Sequence, residues 1–151
     1  VGEDFASMAL LEWTDKMSVG VPALDADHRK LLGLVNELHA VVRKKESPTV
    51  VSRVLRDLVG YADYHFQAEE QLLRLARYPG LEEHKATHED LRRKVRDLEA
   101  RYGDKPEKAG LAMFDFLSDW LMRHILGEDM KYKKVLADRA AAKGGPRPPA
   151  S

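Results

Sequence analysis

Residues 81–102 read LEEHKATHEDLRRKVRDLEARY, and the order of imidazole and apolar side chains in this stretch decides the fold. His84, His88, Leu91, Val95, Leu98 and Tyr102 fall alternately four and three residues apart. That spacing lines up one face of a helix packed in a bundle. No segment of the chain shows the alternation of a half-buried strand.

The same period extends in both directions. Leu24, Leu31, Leu32, Leu34, Val35, Leu38, Val41 and Val42 predict a first helix from about Leu24 to Lys45, with Asp25 as its N-cap. Ser47-Pro48 starts a second helix, as a capping side chain followed by proline in the first turn, and Tyr78-Pro79-Gly80 stops it. Its stripe includes Val51, Val54, Leu58, Ala62, His65, Phe66, Glu69 and Leu73. After Gly103-Asp104-Lys105-Pro106, a fourth helix from about Glu107 turns Leu111, Phe114, Leu117, Leu121, His124 and Ile125 inward, weakens at Gly127 and continues to Ala140. Four such helices with short connections predict an all-α fold, an up-down-up-down antiparallel four-helix bundle. Residues 1–22 form an irregular lead packing on it, 23–140 the bundle, and 141–151, rich in Gly and Pro, a disordered tail.

Composition narrows the chemistry. The 151 residues carry 25 Lys+Arg against 25 Asp+Glu, so no global positive field gathers nucleic acid or anionic lipid. With no Cys, thiolate nucleophiles, iron-sulfur clusters and Cys-type zinc sites are excluded, leaving His and carboxylates as transition-metal ligands. No apolar run approaches the roughly 20 residues of a membrane span, and Glu3 and Asp4 ahead of Met8–Leu11 carry the wrong charge for a signal peptide. The expected location is cytoplasmic.

Five of the six His lie on inward stripes, where unpartnered polar groups cost several kcal/mol. His65 and Glu69, and His84 and His88, are four apart and project from one face of their helices. In an antiparallel bundle the start of the first helix, the end of the second, the start of the third and the end of the fourth share one end. His28, His65, Glu69, His84, His88, His124 and Asp129 therefore converge in one layer. His39 lies roughly 16 Å further along and is expected outside the set, at the core edge or surface. Five imidazoles and two carboxylates exceed what one ion needs and are too nitrogen-rich for calcium or magnesium. They suit two transition-metal ions bridged by the carboxylates. Two ferrous ions with two carboxylates and one hydroxide would carry only about +1 in the core.

One spacing is awkward. His124 and Asp129 are about 140° apart on an ideal helix, so the reading predicts a local widening near Gly127. Glu70, Lys131, Lys133 and Lys134 are read as solvated charges, and Arg43-Lys44-Lys45 as positive charge at a helix C-terminus.

The ordered set Trp13, Val19-Gly20, Asp25-x-x-His28, His65-Phe66-x-x-Glu69-Glu70, Tyr78-Pro79, His84-x-x-x-His88 and Trp120-Leu121-x-x-His124-Ile125-x-x-x-Asp129-x-x-Tyr132 resembles hemerythrin, specifically the bacterial hemerythrins. The resemblance covers about residues 13–132. It implies a non-haem di-iron centre with an oxo or hydroxo bridge that binds O2 reversibly, as a hydroperoxide at one iron. By motif position His84, His88 and His124 would ligate one iron and His28 and His65 the other, with Glu69 and Asp129 bridging. Such a centre needs a dry pocket, for which Leu31, Phe66, Leu121 and Ile125 are the expected walls. Trp120 and Tyr132 match positions that orient a carboxylate from behind.

The expected role is an O2 carrier, store or sensor, not an enzyme. Its partners are O2 and, left open, an O2-using enzyme or a signalling domain, with no nucleic acid and no membrane. The alternative is a di-iron enzyme with oxidase, peroxidase or nitric oxide chemistry, but the Glu-x-x-His pairs of ferritin-like oxidases are absent. Zinc hydrolysis fails because His84-Lys85-Ala86-Thr87-His88 lacks the glutamate after the first His.

Overall fold

A computed structural model describes residues 10–142. Its long helices are Pro22–Arg43 (α1), Pro48–Leu75 (α2), Leu81–Tyr102 (α3) and Pro106–Arg123 (α4). A π turn, His124–Glu128, then leads into Asp129–Ala142 (α5). Each helix packs on its sequence neighbours and α4 closes on α1, giving an all-α bundle with no strand among the described residues. No described helix is long and apolar enough to cross a bilayer.

Local chemistry sets the boundaries. Proline occupies the first turn of α1, α2 and α4, where its missing N–H has no intrahelical partner to lose. Ser47 caps α2, its side chain accepting from the Val50 N–H at 3.3 Å. Two residues past the ends of α1 and α2, Lys45 and Arg77 take φ near +55° (56° and 54°). In each case the following N–H reaches back five residues, Glu46 to the Val41 carbonyl (3.0 Å) and Tyr78 to that of Leu73 (2.9 Å). This is the αL closure that satisfies the last carbonyls of a helix and reverses the chain.

Asp25 is not the N-cap expected of it. The helix begins three residues earlier, and the buried Asp25 carboxylate accepts instead from the Val19 N–H (2.8 Å) and the Ser18 hydroxyl (2.6 Å). It thereby ties the lead to α1, beside a 3-10 turn at Asp15–Met17. The lead is pinned further by Asn36, whose amide exchanges hydrogen bonds with the Leu11 backbone at 2.9 and 2.7 Å. The disorder expected of the tail concerns mostly residues 143–151, which lie outside the described residues, as do 1–9; α5 itself runs two residues past the expected end.

Two apolar clusters frame the interior. The larger contains Leu31, Val35, Leu38, Val54, Leu58, Phe66, Leu91, Phe114 and Leu121. The smaller, Val19, Leu24, Leu73 and Tyr132, closes one end with residues from the lead and α5. Arg139 of α5 donates to the Arg77 carbonyl (3.0 Å) and to that of Ala76, fastening α5 to the end of α2.

Candidate metal centre

A layer of ionisable side chains lies between these two clusters. His28 enters from the start of α1, His65 and Glu69 from the last turns of α2, His84 and His88 from the start of α3, and His124 and Asp129 from the π turn and its exit. All seven are at most 5% exposed. The convergence follows from antiparallel packing of helices whose inward stripes carry these residues near alternating ends.

The π turn delivers Asp129. Its N–H bonds to the His124 carbonyl, five residues back, so one extra residue is accommodated in the turn and both side chains face inward. Asp129 then lies with Oδ1 3.0 Å from His124 Nε2. The widening expected near Gly127 is therefore present.

The seven groups separate into two sets of imidazoles joined by carboxylates. Glu69 Oε1 is 2.7 Å from His84 Nε2 and 3.0 Å from His88 Nε2, while Oε2 is 3.4 Å from His65 Nε2 and 3.6 Å from His28 Nε2. Asp129 repeats the pattern: Oδ1 faces His84 (3.1 Å) and His124, and Oδ2 faces His28 (3.3 Å). Within each set the Nε2 atoms crowd together, His28 with His65 at 3.0 Å and His88 with His124 at 3.2 Å.

Such crowding needs a cation. Both Asp129 oxygens are buried with no hydrogen-bond partner, although three imidazole nitrogens stand within 3.3 Å. Unsatisfied buried carboxylate oxygens are costly, and neutral nitrogen with charged oxygen is a transition-metal donor set. Glu69, His84, His88 and His124 form one group able to hold an ion, and His28, His65 and Glu69 another.

Outer partners fix the rings. His65 Nδ1 lies 3.0 Å from Asp27 Oδ2, and His88 Nδ1 lies 2.7 Å from Glu70 Oε2. A carboxylate has no proton to give, so in both contacts Nδ1–H donates and Nε2 keeps its lone pair for the cluster. Thr87 spends its hydroxyl proton on the His84 carbonyl (2.7 Å), so its oxygen accepts from His124 Nδ1–H at 3.3 Å. Tyr132 donates to Glu69 Oε2 at 2.9 Å. Burial first, then Asp129 and Glu69, push its phenol far above the ordinary range and keep it a donor.

The charges are strongly coupled. For His84 burial lowers the pKa, but Asp129 and Glu69 outweigh it and raise it to about 9. His124 also rises to about 9, burial again opposing and Asp129 then Glu69 prevailing. Burial pushes Glu69 up, yet His124, His28, His65 and His84 hold its carboxyl well below the usual range. Asp129 is raised by burial and by Glu69 and lowered overall by His124 and His84.

Several expectations need correction. Glu70 is not a solvated charge; it is 14% exposed at its side chain and holds His88. Trp120 does not meet a carboxylate but stacks on His124, centroids 4.4 Å apart and planes 11° apart, as Phe66 stacks on His88 at 3.9 Å and 11°. Leu31, Phe66, Leu121 and Trp120 wall a small apolar cavity of ≈ 10 Å³, about the minimum for one water, and its lining offers no polar partner. Ile125, though fully buried, is not part of that wall. His39 is buried rather than marginal and packs near Phe114 (4.9 Å), away from the layer. Asp27, which also accepts from Tyr61 at 2.8 Å, and Thr87 were not found from sequence. Asp27 acts across helices, where linear spacing carries no signal, whereas an acid following a buried Glu69 could have flagged Glu70.

A family model described as the hemerythrin HHE cation binding domain matches residues 19–136. Bacteriohemerythrin of Stenotrophomonas maltophilia (strain R551-3) is 34% identical over 125 residues, 83% of this chain and 80% of that protein. The hemerythrin-like protein of Naegleria gruberi is 32% identical over 124 residues, 82% of this chain and 92% of that one. Bacteriohemerythrin of Clostridium acetobutylicum is 28% identical, spanning 80% and 96% respectively. With its buried layer of imidazoles and carboxylates, the chain belongs to the hemerythrin family.

Proposed function

We propose that this protein binds O2 reversibly at a di-iron centre, as a carrier, store or sensor rather than an enzyme. One observation carries the reading: both buried carboxylates turn one oxygen to one set of imidazoles and the other to the second set. In this reading His84, His88 and His124 hold one ion, His28 and His65 the other, and Glu69 and Asp129 bridge. The set with two imidazoles has the smaller donor count and is where O2 would enter.

When bound, a pair of ferrous ions supplies two electrons to O2 and recovers them on release. The protein's own part is to fix donors and exclude water. Asp27, Glu70 and Thr87 hold three rings with Nε2 available, and Tyr132 holds Glu69 from behind. The apolar wall of Leu31, Phe66 and Leu121 keeps out the water that would promote loss of reduced oxygen and irreversible oxidation.

The test joins metal analysis to an optical O2 titration of the anaerobically reduced protein. Two irons per chain and a near-ultraviolet absorption that appears with O2 and vanishes on its removal are expected. One zinc per chain, or no metal, sinks the proposal. Irreversible oxidation with turnover of an added substrate transfers it to the di-iron enzyme class.

A further inference from the structure

A groove of ≈ 360 Å³ runs between α2 and α3, lined by Val59, Gly60, Ala62, Phe66, Leu91 and Val95, with Asp63, Arg92, Arg96 and Glu99 completing its polar rim. Three of these residues, Ala62, Phe66 and Leu91, also line the small cavity beside the cluster. The two spaces therefore share these three apolar side chains, and Phe66 also lies 6.1 Å, ring centre to ring centre, from His65.

We infer that this groove is the route by which O2 reaches the site, and that Leu91 is the side chain that moves to admit it. The inference rests on the O2-binding reading above. Phe66 is held by its stack on His88 and by the edge of Trp120 at 5.7 Å. Ala62 has no side-chain torsion to change. Leu91, 5% exposed, alone of the three can change rotamer without breaking a ring stack.

The partition is oily, so it passes a small apolar gas and rejects water, which needs two or more polar partners along its way. The rim is braced at one edge. Arg92 Nε donates to Asp63 at 2.9 Å, and its guanidinium lies 5.5 Å from the Phe66 ring centre. Gly60 sits in the interior of α2, where glycine is unfavourable, and a Cβ added there meets nothing within 4 Å. A larger residue at that position fills the groove and leaves the inner cavity untouched.

A route has a kinetic signature that a binding-site change lacks: it alters entry and exit by the same factor. Stopped-flow mixing and O2-release measurements on the reduced, iron-loaded Gly60→Leu protein should show both rates reduced on the order of tenfold, with the equilibrium affinity unchanged. Leu91→Ala should raise both. Unchanged rates in both variants, or a change confined to one direction, overturn the inference even if O2 binding is reversible.

A second readout does not depend on O2 binding to iron. In a Trp13→Phe background, O2 quenching of Trp120 fluorescence in the diferric protein should weaken with Gly60→Leu and strengthen with Leu91→Ala. If the wild type fails to bind O2 reversibly, the functional proposal falls and this quenching alone judges the route: constant quenching across the variants refutes it.

Discussion

The two ends of the bundle are built on the same helices and obey different physics. At the end formed by Leu38, Val51, Leu98, Gly110 and Met113, the interior is apolar apart from the buried ring of His39, and stability comes chiefly from shape. Packing there is tight enough that a Cβ on Gly110 would lie 2.7 Å from a Val42 methyl and 3.1 Å from one of Val51. At the other end seven ionisable groups occupy the equivalent interior layer with the same degree of burial. A core can therefore be closed by complementary volumes or by complementary charge, and the second kind needs an ion to be complete.

The largest contrast should come from removing one group at each end. Glu69→Gln strips the carboxylate that reaches both imidazole sets, and iron content should fall from two per chain to at most one, with loss of the near-ultraviolet absorption. Leu38→Ala should destabilise by about 2–5 kcal/mol while iron content by elemental analysis stays at two. If Glu69→Gln keeps both irons, the two ends are not distinguished by metal at all.

An intermediate effect should appear with pH in the iron-free protein. The pKa values of His84 and His124 are raised from 6.5 to about 9. Their contribution is thus complete below pH 6.5 and lost as pH rises through about 9. Glu69 and Asp129 are lowered, so theirs is present above the ordinary carboxylate values and lost as pH falls through the lowered ones. The iron-free protein should have its highest melting temperature in mildly acidic solution and lose stability above pH 9. Iron loading near pH 7.5 should release about two protons, because ligating nitrogens must be unprotonated. A melting temperature flat from pH 6 to 10, or loading without proton release, breaks this account.

The smallest contrast uses glycine. Gly110→Ala should cost about 1–3 kcal/mol by overpacking without altering iron content. Gly127→Ala, in the π turn, has open space at its Cβ, and should change stability by less than about 1 kcal/mol. Loss of iron in Gly127→Ala would show that the turn depends on this glycine and not on the ligands it serves.

The four helices could be read from the period of Leu, Val and His because burial of one face is a linear property of the sequence. The convergence of His28, Glu69, His88 and Asp129 was legible for the same reason, once antiparallel packing assigned each to an end. Even the five-residue gap from His124 to Asp129 pointed to an irregular turn. What stayed hidden were contacts between helices made by polar side chains near the surface: Asp27 with His65, Glu70 with His88, Thr87 with His124. A half-exposed acid and a buried one look alike in a list of letters, since their difference lies in which neighbour their rotamer meets. Asp25 was misassigned likewise, because its partners lie in the irregular lead, where no period constrains the chain.

The cap of Val19, Leu24, Leu73 and Tyr132 has a consequence for how the protein is assembled. Tyr132, fully buried in that cap, is also the donor to Glu69, so the apolar closure of this end and the seating of one carboxylate in the layer beneath it depend on the same side chain. The cap's edges come from the lead and from α5, the segments flanking the four long helices. The lead and the last helix are thus not appendages: fastened by Tyr132 on Glu69 and by Arg139 on the end of α2, they complete the layer that the four long helices only begin.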